Sequence, residues 1–534
     1  NFTDPAHTKY ASSDYTKQGE YSSSKSRSWR YTMNTGIAYA LSLNDHNLTF
    51  NGRAEIRSTS SNTESFVATG FPKGVGAIPS FAYSFKENST PGYSESISRG
   101  VSFLGTFNYN YKYRYLFDAS LSSDGSTSFG RDKKFQTFWS VGAGWNVSKE
   151  SFAKDWDWMQ ELKLRGSFGS NGNQNVSNLT SNVYSYYAGS DIFGTASYLS
   201  GYANPNLEWQ VVKKTSVGID LMFWDNRLLL TMDYYHTNTN PLVVSIQQKP
   251  SSGLSTLPIN LGHLNTNGFE FNVSWYAIRN LEKRIMLNFR LNGNTYKSVY
   301  GGFGEALANL NDAYKKDSSV DSKLNVNSMI QYQDGESPTA LFAVRSLGID
   351  PATGKEVFLT KNGTPTFDYN ADDRVKIADT NPKIRGVFGI SFTYKNLQAS
   401  VNLRYNLGSF AFNSALFNKV ENISASNIAY NQDKRALYSR WQNAGDVSQF
   451  KGISLTTQTP ISSRFVQRDN YLRGESARIS WDFSRDEWIK RLFLKDLRFN
   501  VSFNDFFDLS EMKRERGTDY PFQRAISFGL SARF

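Results

Sequence analysis

Apolar and polar side chains alternate one by one over runs of about ten residues, and the run recurs many times along the chain. At the C-terminus Ile526, Phe528, Leu530, Ala532 and Phe534 fall in one phase, and Ala525, Ser527, Gly529, Ser531 and Arg533 in the other. Successive side chains of an extended strand point to opposite faces, so this segment predicts a strand with one apolar and one small or polar face. Leu497, Phe499, Val501 and Phe503 alternate in the same way with Arg498, Asn500, Ser502 and Asn504. So do Leu397 to Leu403 with Gln398 to Arg404, Ile285 to Leu291 with Met286 to Asn292, and Phe269 to Trp275 with Glu270 to Tyr276. A soluble sandwich also alternates, but its strands typically run to only about five or six residues.

The pattern predicts an all-β chain of about fifteen strands, at 29–41, 46–58, 99–111, 114–124, 138–148, 161–171, 214–224, 227–238, 266–277, 284–296, 385–394, 397–407, 471–483, 497–505 and 522–534. Short connections stand at Leu43-Asn44-Asp45, Asp225-Asn226 and Lys395-Asn396, and long ones at 59–98, 174–210, 297–384 and 408–468. Tight turns on one side and long loops on the other are the arrangement of a transmembrane antiparallel β-barrel. Bacterial single-chain barrels have an even strand number, and an unpaired edge in lipid is costly. An odd count therefore predicts an open arc, closed by strands outside residues 1–534, with all four long loops on the side opposite the short turns. By its phase, Phe534 is expected to face lipid near the rim of the apolar band, as the true end of the last strand.

Composition supports this picture. Aromatic residues make up 15% of the chain, with 39 Phe, 30 Tyr and 11 Trp, while Pro is scarce at 14. No stretch approaches the roughly 18 apolar residues of a membrane helix, but a membrane strand shows lipid only every second residue. The opening Asn1-Phe2-Thr3-Asp4 lacks the charged-then-apolar pattern of a secretion signal, so the sequence reads as a mature or internal piece. The absence of cysteine excludes disulfide staples and thiolate metal sites. The formal charge of +11 raises nucleic acid as a partner, but the basic residues are scattered, which suits anionic lipid and polar solute instead.

Several segments resemble the SusC-like family of TonB-dependent transporters. Asn204-Pro205-Asn206-Leu207-Glu208-Trp209, Thr215 to Asp220, Trp224-Asp225-Asn226-Arg227-Leu228 and Asp233-Tyr234-Tyr235 are similar to one continuous stretch of that family. So are Leu261-Gly262 with Asn267-Gly268-Phe269-Glu270, the run Gly348-Ile349-Asp350-Pro351-Ala352-Thr353-Gly354, and Asp379-Thr380-Asn381-Pro382-Lys383. Arg440-Trp441, Gly445-Asp446-Val447, Arg464-Phe465, Tyr471-Leu472-Arg473, Leu497-Arg498 and the terminal Phe534 complete the series in family order. The resemblance implies a barrel of twenty-two strands behind a plug. This chain would then be its fifteen C-terminal strands, a partial barrel over 1–534 without the plug, the TonB-contacting segment or the first strands. It also implies an outer-membrane location, contact with outer-membrane lipid and lipopolysaccharide, a SusD-like surface lipoprotein as partner, and TonB acting through the plug. A dimer of transporter–lipoprotein pairs is a further expectation. The substrate class would be glycan or peptide, with no residue assigned to bind it. A scaffold role in a larger outer-membrane assembly is the alternative.

No catalytic constellation emerges. His7, His46, His236 and His263 are scattered, with no HExxH, P-loop, Rossmann or G-x-S-x-G pattern, so neither an enzyme nor a cofactor is expected. Asp368, Asn370, Asp372 and Asp379 take positions 1, 3, 5 and 12 of a calcium loop, but Asp373 replaces the required Gly, and Arg374 and Lys376 oppose a cation, which favours a solvated acidic turn. The strand phase points Arg165, Asp233, Glu270, Arg290, Arg404, Arg478 and Arg498 into the lumen, as hydrated wall charges paired with neighbours or as contacts for solute or plug. Tyr184, Tyr186, Tyr187 and Trp441 are loop aromatics able to stack on sugar rings or to sit at an interface.

Overall fold

A computed structural model describes residues 19–71, 78–86, 90–127, 129, 133–173, 183–186, 197–201, 204–247, 256–304, 306, 311, 329, 331–423, 428, 432–454, 457–484, 486–491, 493–513 and 524–533. Fifteen strands follow one another through a single antiparallel sheet, and the two-residue strand Ser84–Phe85 adds to it beside Ala68 and Thr69. The fifteen are β1 (Glu20–Leu43), β2 (His46–Thr69), β3 (Gly92–Tyr111), β4 (Tyr115–Ser126) and β5 (Phe135–Asn146). Next come β6 (Met159–Asn173), β7 (Gln210–Phe223), β8 (Leu228–Thr239), β9 (His263–Asn280) and β10 (Ile285–Gly301). The last are β11 (Ile384–Tyr394), β12 (Leu397–Leu407), β13 (Tyr471–Asp482), β14 (Asp496–Ser510) and β15 (Ala525–Arg533). Each strand pairs with the next in sequence, and β1 and β15 do not pair with each other, so the described residues form an open arc.

Strict up-and-down order places the connections at 70–91, 174–209, 302–383 and 408–470 on one side, opposite the turns at 44–45, 224–227 and 395–396. The expected sidedness of the loops holds, but their lengths do not. Residues 59–69 and 92–98, expected to be loop, continue the ladder, with Glu20 opposite Thr69 and Ser65 opposite Gly92. This extension is rich in Ser and Thr and poor in apolar residues, so it resembles a solvated loop. Backbone pairing needs no apolar face, which is why it runs on beyond the apolar band.

Cross-strand partners share a face. On the outer face Leu397 stands opposite Trp481, Trp481 opposite Phe499 and Phe499 opposite Leu530. No helix among the described residues is long and apolar enough to cross a membrane. Phe534 lies outside the described residues, but its phase-mates Phe528 and Leu530 are 73% and 71% exposed on this apolar face. A Phe528→Arg substitution in the full-length protein is expected to cost about 2–4 kcal/mol if it meets the bilayer midplane. Ser527→Arg, on the polar face, should cost far less. Denaturant midpoints of the reconstituted protein compare the two, and equal losses would show that the faces are misassigned.

Candidate functional site

The polar face of the arc is the first candidate. In register, Arg165 stands opposite Gly218, Gly218 opposite Asp233, Asp233 opposite Glu270, Glu270 opposite Asn294, Asn294 opposite Arg385 and Arg385 opposite Asn406. Nearer the short turns, Ser274, Arg290, Gly389, Asn402, Ser476 and Asn504 make a second row. Arg478, opposite Ser400 and Ser502, is on the same face. So is Arg498, opposite Asp482 and Ser531. All seven charges assigned to the lumen by phase thus share one face.

Most of them are neutralised locally. Arg165 Nη2 donates to Asp233 Oδ2 at 2.6 Å and its Nε to Asp220 Oδ2 at 3.1 Å. Gly218 makes room for this bridge, because a Cβ there would fall 2.4 Å from Asp233 Oδ1 and 2.7 Å from Arg165 Cζ. Arg404 pairs with Glu475, which a bulge in β13 leaves without a cross-strand partner on β12 or β14. Arg498 lies 3.6 Å from Asp482. Arg290 Nε donates to Asn288 Oδ1 at 2.9 Å. Glu270 and Arg478 have no ion-pair partner among the described residues. A recess of about 520 Å³ opens on this wall between Glu270, Asn272, Asn292, Arg385 and Arg404.

The second candidate is a folded cap on the long-loop side. Within 302–383, Ala340–Ala343 pairs with Val375–Asp379 and Arg345–Ile349 with Glu356–Leu359; within 408–470, Phe410–Phe412 pairs with Val466–Arg468. Phe417, Val420, Ile423, Ala436, Phe450 and Phe465 make a core within 408–470, and Met329, Leu341 and Ala343 pack against Phe412, Ile461 and Val466 across the two loops. Polar groups weld the two loops above it. Arg464 Nη2 donates to Glu421 Oε1 at 2.7 Å and to Glu356 Oε2 at 3.0 Å, and its Nη1 to Glu421 Oε2 at 3.2 Å. Thr459 Oγ1 donates to Glu421 Oε1 at 2.9 Å and Ser462 Oγ to Glu356 Oε1 at 2.6 Å. Burial alone would lower the Arg464 pKa, but the hydrogen bonds and charges of Glu421 and Glu356 outweigh it and the net shift is upward. Arg440 spends its guanidinium on backbone, donating to the carbonyls of Ala436, Val420, Glu421 and Lys451.

The motif residues now have structural roles. Trp209 is buried, stacks on Phe129 at 4.1 Å and donates its Nε1–H to the Lys133 carbonyl at 3.0 Å, so the run from Asn204 ties two loops together at the rim. Asp350 caps its own turn, accepting from the amides of Ala352 at 3.3 Å and Thr353 at 3.1 Å. Gly354 has φ +69° and lies against Trp441, whose Nε1–H donates to the Pro351 carbonyl at 2.8 Å. Trp441 is therefore half-buried, held in place by this turn. The side chains of Tyr184 and Tyr186, and all of Tyr187, lie outside the described residues.

No three His, Cys, Asp or Glu side chains come together as metal ligands among the described residues. Asp379 is taken by Thr339 Oγ1 at 2.6 Å and the Asn381 amide at 2.8 Å, and Asn370 caps the short turn 371–373 by accepting from the Asp372 amide at 3.0 Å. His46 pairs with Tyr109 Oη at 2.8 Å and His236 with Asn267 Oδ1 at 2.7 Å, on different strands; His7 lies outside the described residues. Reading the sequence missed Glu356, Glu421 and Tyr369. The carboxylates are 108 and 43 positions from Arg464, a distance at which no local pattern links them.

Tyr369 is packed on Phe358 with ring centroids 5.4 Å apart, and burial pushes its phenol up to about 12. A raised folded-state pKa means that its contribution to stability is complete below about 10, the unfolded value, and is lost as the pH climbs towards 12. Tyrosinate absorbance of the full-length protein should contain a late step that Tyr369→Phe removes. A titration identical in the two proteins would contradict this burial.

Residues 1–335 match the family described as TonB dependent receptor-like, beta-barrel. TonB-dependent receptor P3 of Formosa agariphila is 26% identical over 436 residues, which span 79% of this chain and 41% of that protein. TonB-dependent receptor SusC of Bacteroides thetaiotaomicron is 25% identical over 459 residues, 81% of this chain and 44% of that protein. The chain thus spans less than half the length of these relatives. The structure of the RagAB peptide transporter superposes with a TM-score of 0.79 at 19% identity, covering 93% of this chain and 53% of that one, which shows a shared fold. With residues 1–335, more than half of its length, in the family match, and an arc of strands apolar on one face and polar on the other, the chain belongs to the TonB-dependent receptor β-barrel family of the outer membrane, with SusC among its relatives.

Proposed function

We propose that this chain forms most of the wall of an outer-membrane importer that takes up a glycan or peptide nutrient, with TonB supplying the work through a plug. On this reading further strands close the arc to a barrel of twenty-two, the number at which a barrel holds a plugged lumen. A SusD-like lipoprotein covers the long-loop side. The observation that carries the reading is the inner wall. A continuous polar face, with Arg165, Asp233, Arg404 and Arg498 paired in place and Glu270 and Arg478 left to face the lumen, is a surface along which a hydrated solute or a plug can move. The cap supports the partner, since Leu341, Ala343 and Ile377 of one long loop pack against Phe412, Ile461 and Val466 of the other.

The test is deletion of the whole gene, with uptake of labelled oligosaccharides and oligopeptides measured in parallel. Loss of uptake of one class, restored by the intact gene and abolished when the proton gradient is collapsed, is the expected result. Unchanged uptake of both, with loss of another outer-membrane assembly, would favour the scaffold reading.

A further inference from the structure

Three guanidiniums lie inside the cap, and the chain provides fully for two of them. Arg464 has the carboxylates of Glu356 and Glu421. Arg440 has four backbone carbonyls. Arg374 is only 5% exposed, yet it has a single carbonyl, that of Ala371, to which its Nε donates at 3.1 Å. It makes no ion pair among the described residues. Its Nη1 is buried without a hydrogen-bond partner, and so is the Tyr369 hydroxyl. The short turn 371–373 stands between these two residues and folds back on itself, with the Asp373 amide donating to the Asn370 carbonyl at 3.0 Å. Each of the two shifts the other's titration, so they lie close together. The nearby carboxylates are committed or outside. Glu356 is held by Arg464 and Ser462, Asp373 accepts from the Lys361 amide at 2.9 Å, and Asp372 is exposed and makes no ion pair with Arg374.

We propose that Arg374 and Tyr369 hold a chloride ion inside the cap. Both are donors, one of them cationic, and neither has an acceptor at the buried atom that needs one. A buried charge is retained only where something compensates it. Water would satisfy the two donors but leave the charge, and the three guanidiniums of the cap already outnumber its two buried carboxylates, Glu356 and Glu421. Sulfate or phosphate would bring more oxygen atoms than two donors can satisfy, so the site suits a monatomic anion. The ion would fasten two small sheets of the 302–383 loop to each other. Tyr369 packs on Phe358 of the strand Glu356–Leu359, whereas Arg374 immediately precedes Val375, whose strand pairs with Ala340–Ala343. The order of this half of the cap then depends on the anion in the surrounding medium.

The test follows hydrogen exchange of the full-length protein in detergent while sodium gluconate is replaced stepwise by sodium chloride at constant ionic strength. Amides of 356–359 and 365–379 should exchange about tenfold more slowly once chloride reaches roughly ten times its Kd, because the ion binds only the closed form. Those of β10 to β13 should not respond. Bromide should act as chloride does, and sulfate should not. Arg374→Gln and Tyr369→Phe should lose most of the response. Lys376→Gln, which removes an exposed cation two positions away, should keep it. No response in the wild type, an undiminished response in Arg374→Gln, or an equal response to sulfate would overturn the proposal. Should the Arg374 variant fail to fold, crystals of the wild type soaked in sodium bromide decide the matter. Anomalous density between Arg374 Nη1 and Tyr369 Oη is the expected result, and density there without an anomalous signal, the mark of a water, would sink the idea.

Discussion

Arg464→Ala is expected to open the cap while leaving the barrel strands intact. The side chains of Glu356 and Glu421 are 4% and 0% exposed, and Arg464 is the cation that bridges them. Removing one partner of a buried ion network leaves uncompensated charge in a poorly solvated place, at a cost of about 3–5 kcal/mol. Removing the whole set is gentler, because no charge is then stranded. Arg464→Met combined with Glu356→Gln and Glu421→Gln should therefore recover much of the loss. Hydrogen exchange in the full-length protein reads this directly. Amides of 340–379 and 410–468 should lose protection in Arg464→Ala while those of β10 to β13 keep it. Unchanged protection of the cap would show that the packed core, and not the ion network, holds the loops together.

Gly386→Ala is expected to be the most damaging of three glycine substitutions that look alike in the sequence. A Cβ at Gly386 would fall 1.9 Å from the Asn292 carbonyl oxygen, a backbone atom of the neighbouring strand, and 2.6 Å from Tyr405 Oη. The ladder between β10 and β11 must shift to admit it. At Gly293 the nearest atoms are the ends of the Tyr405 and Phe271 side chains, at 2.6 and 2.7 Å, which can turn aside. At Gly105 the space is open. Overpacking costs typically 1–3 kcal/mol and occasionally more. Gly386→Ala should lie at or above the top of that range, Gly293→Ala within it, and Gly105→Ala near zero. Tyr405→Phe, which removes the 2.9 Å bond from Tyr405 Oη to the Asn292 carbonyl, should not rescue Gly386→Ala, because the blocking atom is backbone. Heat-modifiable mobility of the folded barrel and its level in the outer membrane rank the series. A Gly386→Ala protein as stable as Gly105→Ala would refute the close approach.

Two glycine pairs show where a sequence stops being informative. Gly52 and Gly105 sit in alternating strands just as Gly293 and Gly386 do, and only the register, with Tyr405 brought over one pair and nothing over the other, separates a filled wall from an open one. The same holds for charge. That Arg165 points inward follows from its phase, but that Asp220 and Asp233 meet it depends on two neighbouring strands arriving in one register.

By itself the sequence determined the strand class, the faces and the order. A period of two states which side chains share a face, tight turns force neighbours to be antiparallel, and both are local properties that survive without knowledge of the rest of the chain. It also determined the sidedness of the loops, which follows from counting strands. Where the strands end was not legible, because Ser- and Thr-rich ladder above the apolar band has the composition of a loop. The interior of the cap was decided by tertiary structure alone. Glu356, Glu421 and Arg464 come from three separate segments of two loops, and Trp441 is covered by a turn that begins at Asp350, about 90 positions earlier. Contacts of that span have no periodicity to betray them. They exist because burying a carboxylate requires a cation at hydrogen-bonding distance, and only the folded chain supplies one.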